Sequence, residues 1–235
     1  MMSDPELFDL RGVRLDLSLP VFTPEIKEAV MQGYYETVEA DAAARIIEPN
    51  QTVLEIGAGC GFLSSYIGRL NRANTLICVE ANPDLIPVIR HHHDLNGTTA
   101  LVYHEMLSAE TGAGEFFVHP DFWASAARPS AGAARITVPK ARFTERLQQW
   151  RPDCLIVDIE GGELDLLRLG LPDCVQSVIV EIHEWVYGVA GVKVVMDLLS
   201  AMNFAYVWDA SNGHVLSYRR LRGLSPPAIV ARHTS

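Results

Sequence analysis

The sequence has no uninterrupted apolar stretch long enough to span a bilayer, no run of Lys or Arg, and no Cys-x-x-Cys pair. The first absence excludes a membrane-spanning helix. Nineteen Lys and Arg against 29 Asp and Glu give a formal charge of -10, which argues against broad contact with nucleic acid or an anionic membrane. The four cysteines (Cys60, Cys78, Cys154, Cys174) are scattered and read as reduced, small hydrophobes rather than a disulfide framework or a zinc site. Residues 1–6 lack both the basic and the apolar part of a secretion signal, so a cytoplasmic location is expected. No internal repeat is visible. What is present is ordinary globular material: 49% hydrophobic and 20% charged residues over 235 positions, enough for one large domain or a core with an appendage.

The most informative stretch is Val53-Leu54-Glu55-Ile56-Gly57-Ala58-Gly59-Cys60-Gly61-Phe62. An apolar strand ends in an acid, a turn with glycine at alternate positions follows, and residues 63–70 open a helix. Such a turn lets backbone N–H groups approach a bound small molecule, and at the end of the first strand of an open α/β sheet it is where nucleotides bind. From residue 51 onward, apolar strands alternate with helices: strands at 52–56, 75–80, 99–103, 154–159 and 177–182, helices at 61–70, 83–95, 142–150 and 192–202. That rhythm predicts a parallel sheet covered on both faces. Phe204–Trp208 and His214–Tyr218, joined across Asn212-Gly213, read as a closing antiparallel hairpin, and Ala228–Ala231 as a possible last strand. Residues 1–50 are expected to form a helical leader, with helices at 24–34 and 37–47, that packs on the core or lids a pocket. Residues 108–139 break the rhythm and read as a hairpin-like insertion, with Trp123 as a wall or lid of the site.

Two ligands compete for the glycine turn. A dinucleotide site needs a small residue where Phe62 stands. An acid at Glu55 suits a ligand with a positive end, such as the amino group of S-adenosylmethionine, and would repel a pyrophosphate. Glu80, about 20 residues on, is placed to accept hydrogen bonds from ribose hydroxyls, and Asn82-Pro83 starts the next helix. Met106 and Leu107 are candidates to bracket an adenine ring. The expected cofactor-binding set is therefore Glu55, Gly57, Gly59, Gly61, Glu80, Asn82, Met106, Leu107 and Asp158.

The Glu55–Gly61 motif and Val79-Glu80-Ala81-Asn82-Pro83 resemble class I S-adenosylmethionine-dependent methyltransferases. Asp158-Ile159-Glu160-Gly161-Gly162-Glu163, with Glu181-Ile182-His183 after it, is similar to the FkbM family in particular, across about residues 50–210. The resemblance implies methyl transfer, usually to an oxygen of a sugar or another small hydroxylated molecule. It also implies a three-layer Rossmann-like fold with a seven-stranded, mostly parallel sheet whose last strand is antiparallel. Family members often carry Lys where this chain has Ile156.

Asp158 and Glu160 alternate at one strand end, and Glu181 and His183 do so on the strand expected beside it. Asp158, Glu160 and His183 are candidates for the base that removes the acceptor's proton, His183 having the most suitable ordinary pKa. The same four groups, Asp158, Glu160, Glu181 and His183, are an alternative divalent-cation site. The bland reading is that Glu163 and Glu181 only hold loops. His91-His92-His93 point about 100° apart on a helix and cannot converge on one ion; a solvated helix end is expected there. The expected partners are a small hydroxylated substrate, with no nucleic acid and no membrane. An N-methyltransferase and a non-catalytic cofactor-binding scaffold of the same fold are the competing readings.

Overall fold

Successive residues of Val53-Leu54-Glu55-Ile56 point to opposite faces of a sheet, and each face is covered by a separate hydrophobic layer. Val53, Cys78, Ile156 and Ile179 pack beneath one set of helices; Leu54, Ile77, Leu155 and Val180 pack beneath another. The computed structural model describes residues 6–222. The strand expected at Ala228–Ala231 lies outside the described residues.

The elements run β1 (Leu7–Leu10), β2 (Val13–Asp16), α1 (Pro24–Met31), α2 (Thr37–Ile46), β3 (Gln51–Ile56), α3 (Phe62–Leu70), β4 (Ala73–Glu80), α4 (Leu85–Asn96) and β5 (Leu101–His104). Then come β6 (Met106–Ser108), β7 (Gly112–Val118), β8 (Ala134–Arg142), α5 (Phe143–Trp150), β9 (Cys154–Val157) and α6 (Glu163–Leu167). The chain continues through β10 (Ser177–Glu181), α7 (Glu184–Ala201), β11 (Phe204–Tyr206) and β12 (Val215–Arg220). The main sheet has seven strands in the order β11-β12-β10-β9-β3-β4-β5. The pairs β10/β9, β9/β3, β3/β4 and β4/β5 are parallel, whereas β12 is antiparallel to both its neighbours. This is a three-layer Rossmann-like α/β fold with a mixed seven-stranded sheet, as expected.

Three features depart from the sequence reading. The leader is not purely helical: β1 and β2 form an antiparallel hairpin that pairs Leu7 with Asp16 and turns at Arg11-Gly12. The insertion is a small sheet of three strands, β6-β8-β7, rather than a lone hairpin. Helix α7 starts earlier than expected and kinks at Gly188, whose backbone is left-handed.

The histidine run is also not a solvated helix end. His92 is fully buried, its Nδ1 2.7 Å from the Cys60 carbonyl, and its Nε2 accepts the Asp16 N–H at 3.0 Å. His93 meets the Ser64 hydroxyl at 2.9 Å, and burial, with His92 beside it, holds its pKa down at about 4. The cause is the unforeseen hairpin, which covers the face of α4 that would otherwise meet water. His91 and His92 both reach Asp16, with ring centroids 5.7 Å apart, whereas His93 turns away to Ser64. No helix among the described residues is long and apolar enough to cross a membrane.

Candidate functional site

Strands β3, β4 and β9 all end at the same edge, so the turns that follow them converge there. A cavity of about 400 Å³ opens at this edge, within the range of small-molecule sites. Gly57 and Gly59 form one wall, Glu80 and Ala81 a second, Met106 and Leu107 a third, and Asp158, Ile159 and Glu160 the far end.

The glycine turn fits closely for two separate reasons. Gly57 (φ +86°) leaves no room for a side chain, because the Asp158 carbonyl occupies the space. Gly59 (φ +52°) faces inward, where a β-carbon would meet the Tyr35 hydroxyl at 2.8 Å and Glu36 Oε1 at 3.0 Å. Both backbones are left-handed, which favours glycine. Glu80 is fixed by the N–H groups of Gly59 (3.1 Å) and Asn82 (2.7 Å), and its carboxylate borders the cavity. Burial pushes its pKa up to about 7.

Gly57, Gly59, Glu80, Met106, Leu107, Asp158 and Glu160 thus come together around one cavity. Other expected residues do not reach it. Glu55 shares a sheet face with Val53 and points under α3, where it is buried beside Cys78 and Ser64. Burial pushes its pKa up to about 8, so it is a core acid rather than a partner for a ligand's amino group. Gly61 opens α3 and packs on Ile89. Asn82 is buried and its side chain caps the next turn by accepting the Asp84 N–H at 3.1 Å.

Residues of the leader and of the insertion, for each of which a lid was one of the readings, close the cavity. Tyr35 and Glu36, at the junction of α1 and α2, come from the leader, and Phe122 and Trp123 come from the insertion. The Tyr35 and Trp123 rings stack with centroids 6.3 Å apart, and Phe122 meets Tyr35 edge-on at 6.0 Å. The Tyr35 hydroxyl is buried with no hydrogen-bond partner. Burial, together with the charges of Glu55, Glu39 and Glu181, pushes the Glu36 carboxyl well above the ordinary carboxylate range. Glu105 also borders the cavity, held by Arg146 through contacts of 2.8 and 2.5 Å.

The acidic edge is built by turns rather than strand alternation. β9 stops at Val157, and Glu160 takes a left-handed backbone (φ +53°) that brings its side chain round to the cavity beside Asp158. Burial and the neighbouring carboxylates, Glu181 first, push Asp158 well above the usual range; burial also raises Glu160, against the opposing pull of His183. His183 is corrected as a base. It is fully buried behind the two carboxylates and does not line the cavity. Burial works against its charge, but Glu160 and Glu163 outweigh that and push its pKa up to about 10, so at neutral pH it carries a proton rather than taking one. Glu163 is fully buried and accepts the N–H groups of Ile159 and Gly161, each at 3.1 Å, which is the loop-holding role expected of it.

No protein-family model matches the sequence, and no curated protein is similar to it. Solved structures are similar to it in fold. Trm5b from Pyrococcus abyssi is 11% identical with a TM-score of 0.50, over 91% of this chain and 55% of that one. A ribosomal protein L11 methylase from Lactobacillus delbrueckii subsp. bulgaricus is 12% identical with a TM-score of 0.46, over 80% of each chain. M. capricolum TrmK, solved with S-adenosyl-homocysteine, is 10% identical with a TM-score of 0.48, over 80% of this chain and 71% of that one.

Proposed function

We propose that the chain is an S-adenosylmethionine-dependent methyltransferase of the FkbM type, acting on a hydroxyl oxygen of a small molecule. The observation that carries this reading is the single cavity that joins the glycine turn and Glu80 to Asp158 and Glu160. Seven carboxylates and one lysine line it. That lining attracts a cofactor with a sulfonium and an ammonium group and repels a pyrophosphate or a nucleic-acid backbone. The glycine cradle, which a β-carbon would fill, and the orphaned Tyr35 hydroxyl fit a ligand seated against this wall.

S-Adenosylmethionine supplies an activated methyl group to a nucleophile aligned with it. The chain's own residues supply position and proton handling. Glu80 receives ribose hydroxyls while Gly59 and Asn82 hold it in place. Met106 and Leu107 present apolar surface to the base. Glu36, against Gly59, borders the cavity where Glu55 does not and offers an oxygen acceptor to the ligand's amino group. Tyr35, Phe122 and Trp123 exclude water from the other side. Asp158 or Glu160 accepts the proton of the acceptor hydroxyl, since His183 stands behind them.

Proteins of this fold include a methylase of a ribosomal protein. The acidic lining, the roofed cavity and the formal charge of -10 favour a small neutral or cationic acceptor here. Incubation with methyl-labelled cofactor and a panel of hydroxylated small molecules tests this, with label expected on an oxygen. Label found only on an amine, a protein or an RNA overturns the acceptor class. No transfer to any acceptor favours a non-catalytic scaffold.

A further inference from the structure

Behind the cavity the acidic edge encloses a second arrangement. His183 is fully buried, and neither of its ring nitrogens has a hydrogen-bond partner. Its Nε2 faces Glu160 at 3.3 Å, Asp158 at 3.7 Å and Glu181 at 3.9 Å. Asp158 Oδ1 is likewise buried and unpartnered. One ligand atom from each of Asp158, Glu181 and His183 lies within 4.8 Å of the others.

We propose that Asp158, Glu181 and His183 bind one divalent transition-metal ion at the acidic end of the cavity. Separations of 3.7 and 3.9 Å are too long for hydrogen bonds. Groups that share an ion at about 2.1 Å stand roughly 3.0–3.5 Å apart, so small side-chain movements close the site. The donor set suits a cation: four carboxylates stand around one imidazole.

The far side of the ring is arranged for ligation. His183 Nδ1 stands 3.0 Å from Glu163 Oε1, and two backbone N–H groups fix that carboxylate. A carboxylate behind the second ring nitrogen is what orients a metal-bound histidine. One nitrogen and two carboxylates favour Mn²⁺, Fe²⁺, Co²⁺ or Zn²⁺ over Ca²⁺, which prefers oxygen throughout. With Asp158 engaged by the ion, Glu160 is the carboxylate left to take the acceptor's proton. That role rests on the methyl-transfer reading; the cation site itself does not.

A neighbouring triad, Glu39, Glu181 and His214, is an internal control. His214 is half exposed and pairs with Glu181 at 3.1 Å.

The test uses the full chain, stripped with a chelator and titrated with Mn²⁺ while the free-ion EPR signal is followed. One bound Mn²⁺ per chain is expected, weakened at least about tenfold by His183→Ala and by Asp158→Asn and unchanged by His214→Ala. Circular dichroism checks folding; where His183→Ala fails to fold, Asp158→Asn, at a partly exposed position, decides. Absence of Mn²⁺ binding by the wild type, or loss of it in His214→Ala with retention in Asp158→Asn, overturns the site. Mn²⁺ binding without S-adenosyl-homocysteine binding keeps the site and overturns the methyltransferase reading; the reverse result does the opposite.

Discussion

The carbonyl oxygen of Asp158 stands where a β-carbon on Gly57 would have to go, only 1.6 Å from that position. Two turns about 100 residues apart in sequence therefore meet without a side chain between them. One is the glycine turn after β3, the other the acidic turn after β9, and their strands pair in parallel. The close approach sets the distance between the end of the cavity that holds a ligand and the end that offers carboxylates.

Gly57→Ala is expected to cost about 2–4 kcal/mol, combining overpacking with left-handed strain. Urea denaturation measures the loss. A change below about 0.5 kcal/mol would mean that the two turns are free to separate.

Glu55 makes stability depend on pH. Its carboxyl is raised from 4.5 to about 8 in the folded chain, mainly by burial, so the folded state holds a proton that the unfolded state releases. The sign follows from linkage: its contribution is full below about pH 4.5 and is lost as the pH rises toward 8. Melting temperatures across that window are expected to fall less steeply in Glu55→Gln than in the wild type. Parallel curves would contradict the buried position of Glu55.

Asp158→Asn and Glu160→Gln address the proton acceptor. At least one is expected to lower kcat by about 100-fold or more while leaving S-adenosyl-homocysteine affinity within a few-fold. Near-wild-type turnover in both variants removes these carboxylates from the chemistry.

Much of this was legible in the sequence because it is local. The alternation of Val53 and Leu54, the glycine turn, and the Asp158–Glu163 run each depend on neighbours in the chain. Glu55 was misplaced although the signal existed: period-two alternation puts it with Val53, under a helix, and away from Ile56, which borders the cavity. The contributions of Tyr35 and Glu36 were not legible, because a junction between α1 and α2 has no local mark of facing a turn at residue 59. The burial of His92 was hidden for the same reason, since it depends on Asp16, 76 residues earlier. His183 was expected near Asp158, Glu160 and Glu181, but its full burial, and Glu163 behind its other ring nitrogen, depend on how the run after β9 packs against the end of β10.

Glu80→Gln is expected to weaken S-adenosyl-homocysteine binding roughly 10- to 100-fold, the range for losing hydrogen bonds to a charged acceptor. Isothermal calorimetry measures it. Unchanged affinity would place the ribose elsewhere.

The most direct measurement is calorimetric titration of the wild type and Gly59→Arg with S-adenosyl-homocysteine. Saturable binding of one ligand per chain is expected in the wild type. None is expected in the variant, whose side chain has to enter the space in front of Tyr35 and Glu36. Equal binding by both proteins, or by neither while the wild type is folded, contradicts the assignment of this cavity.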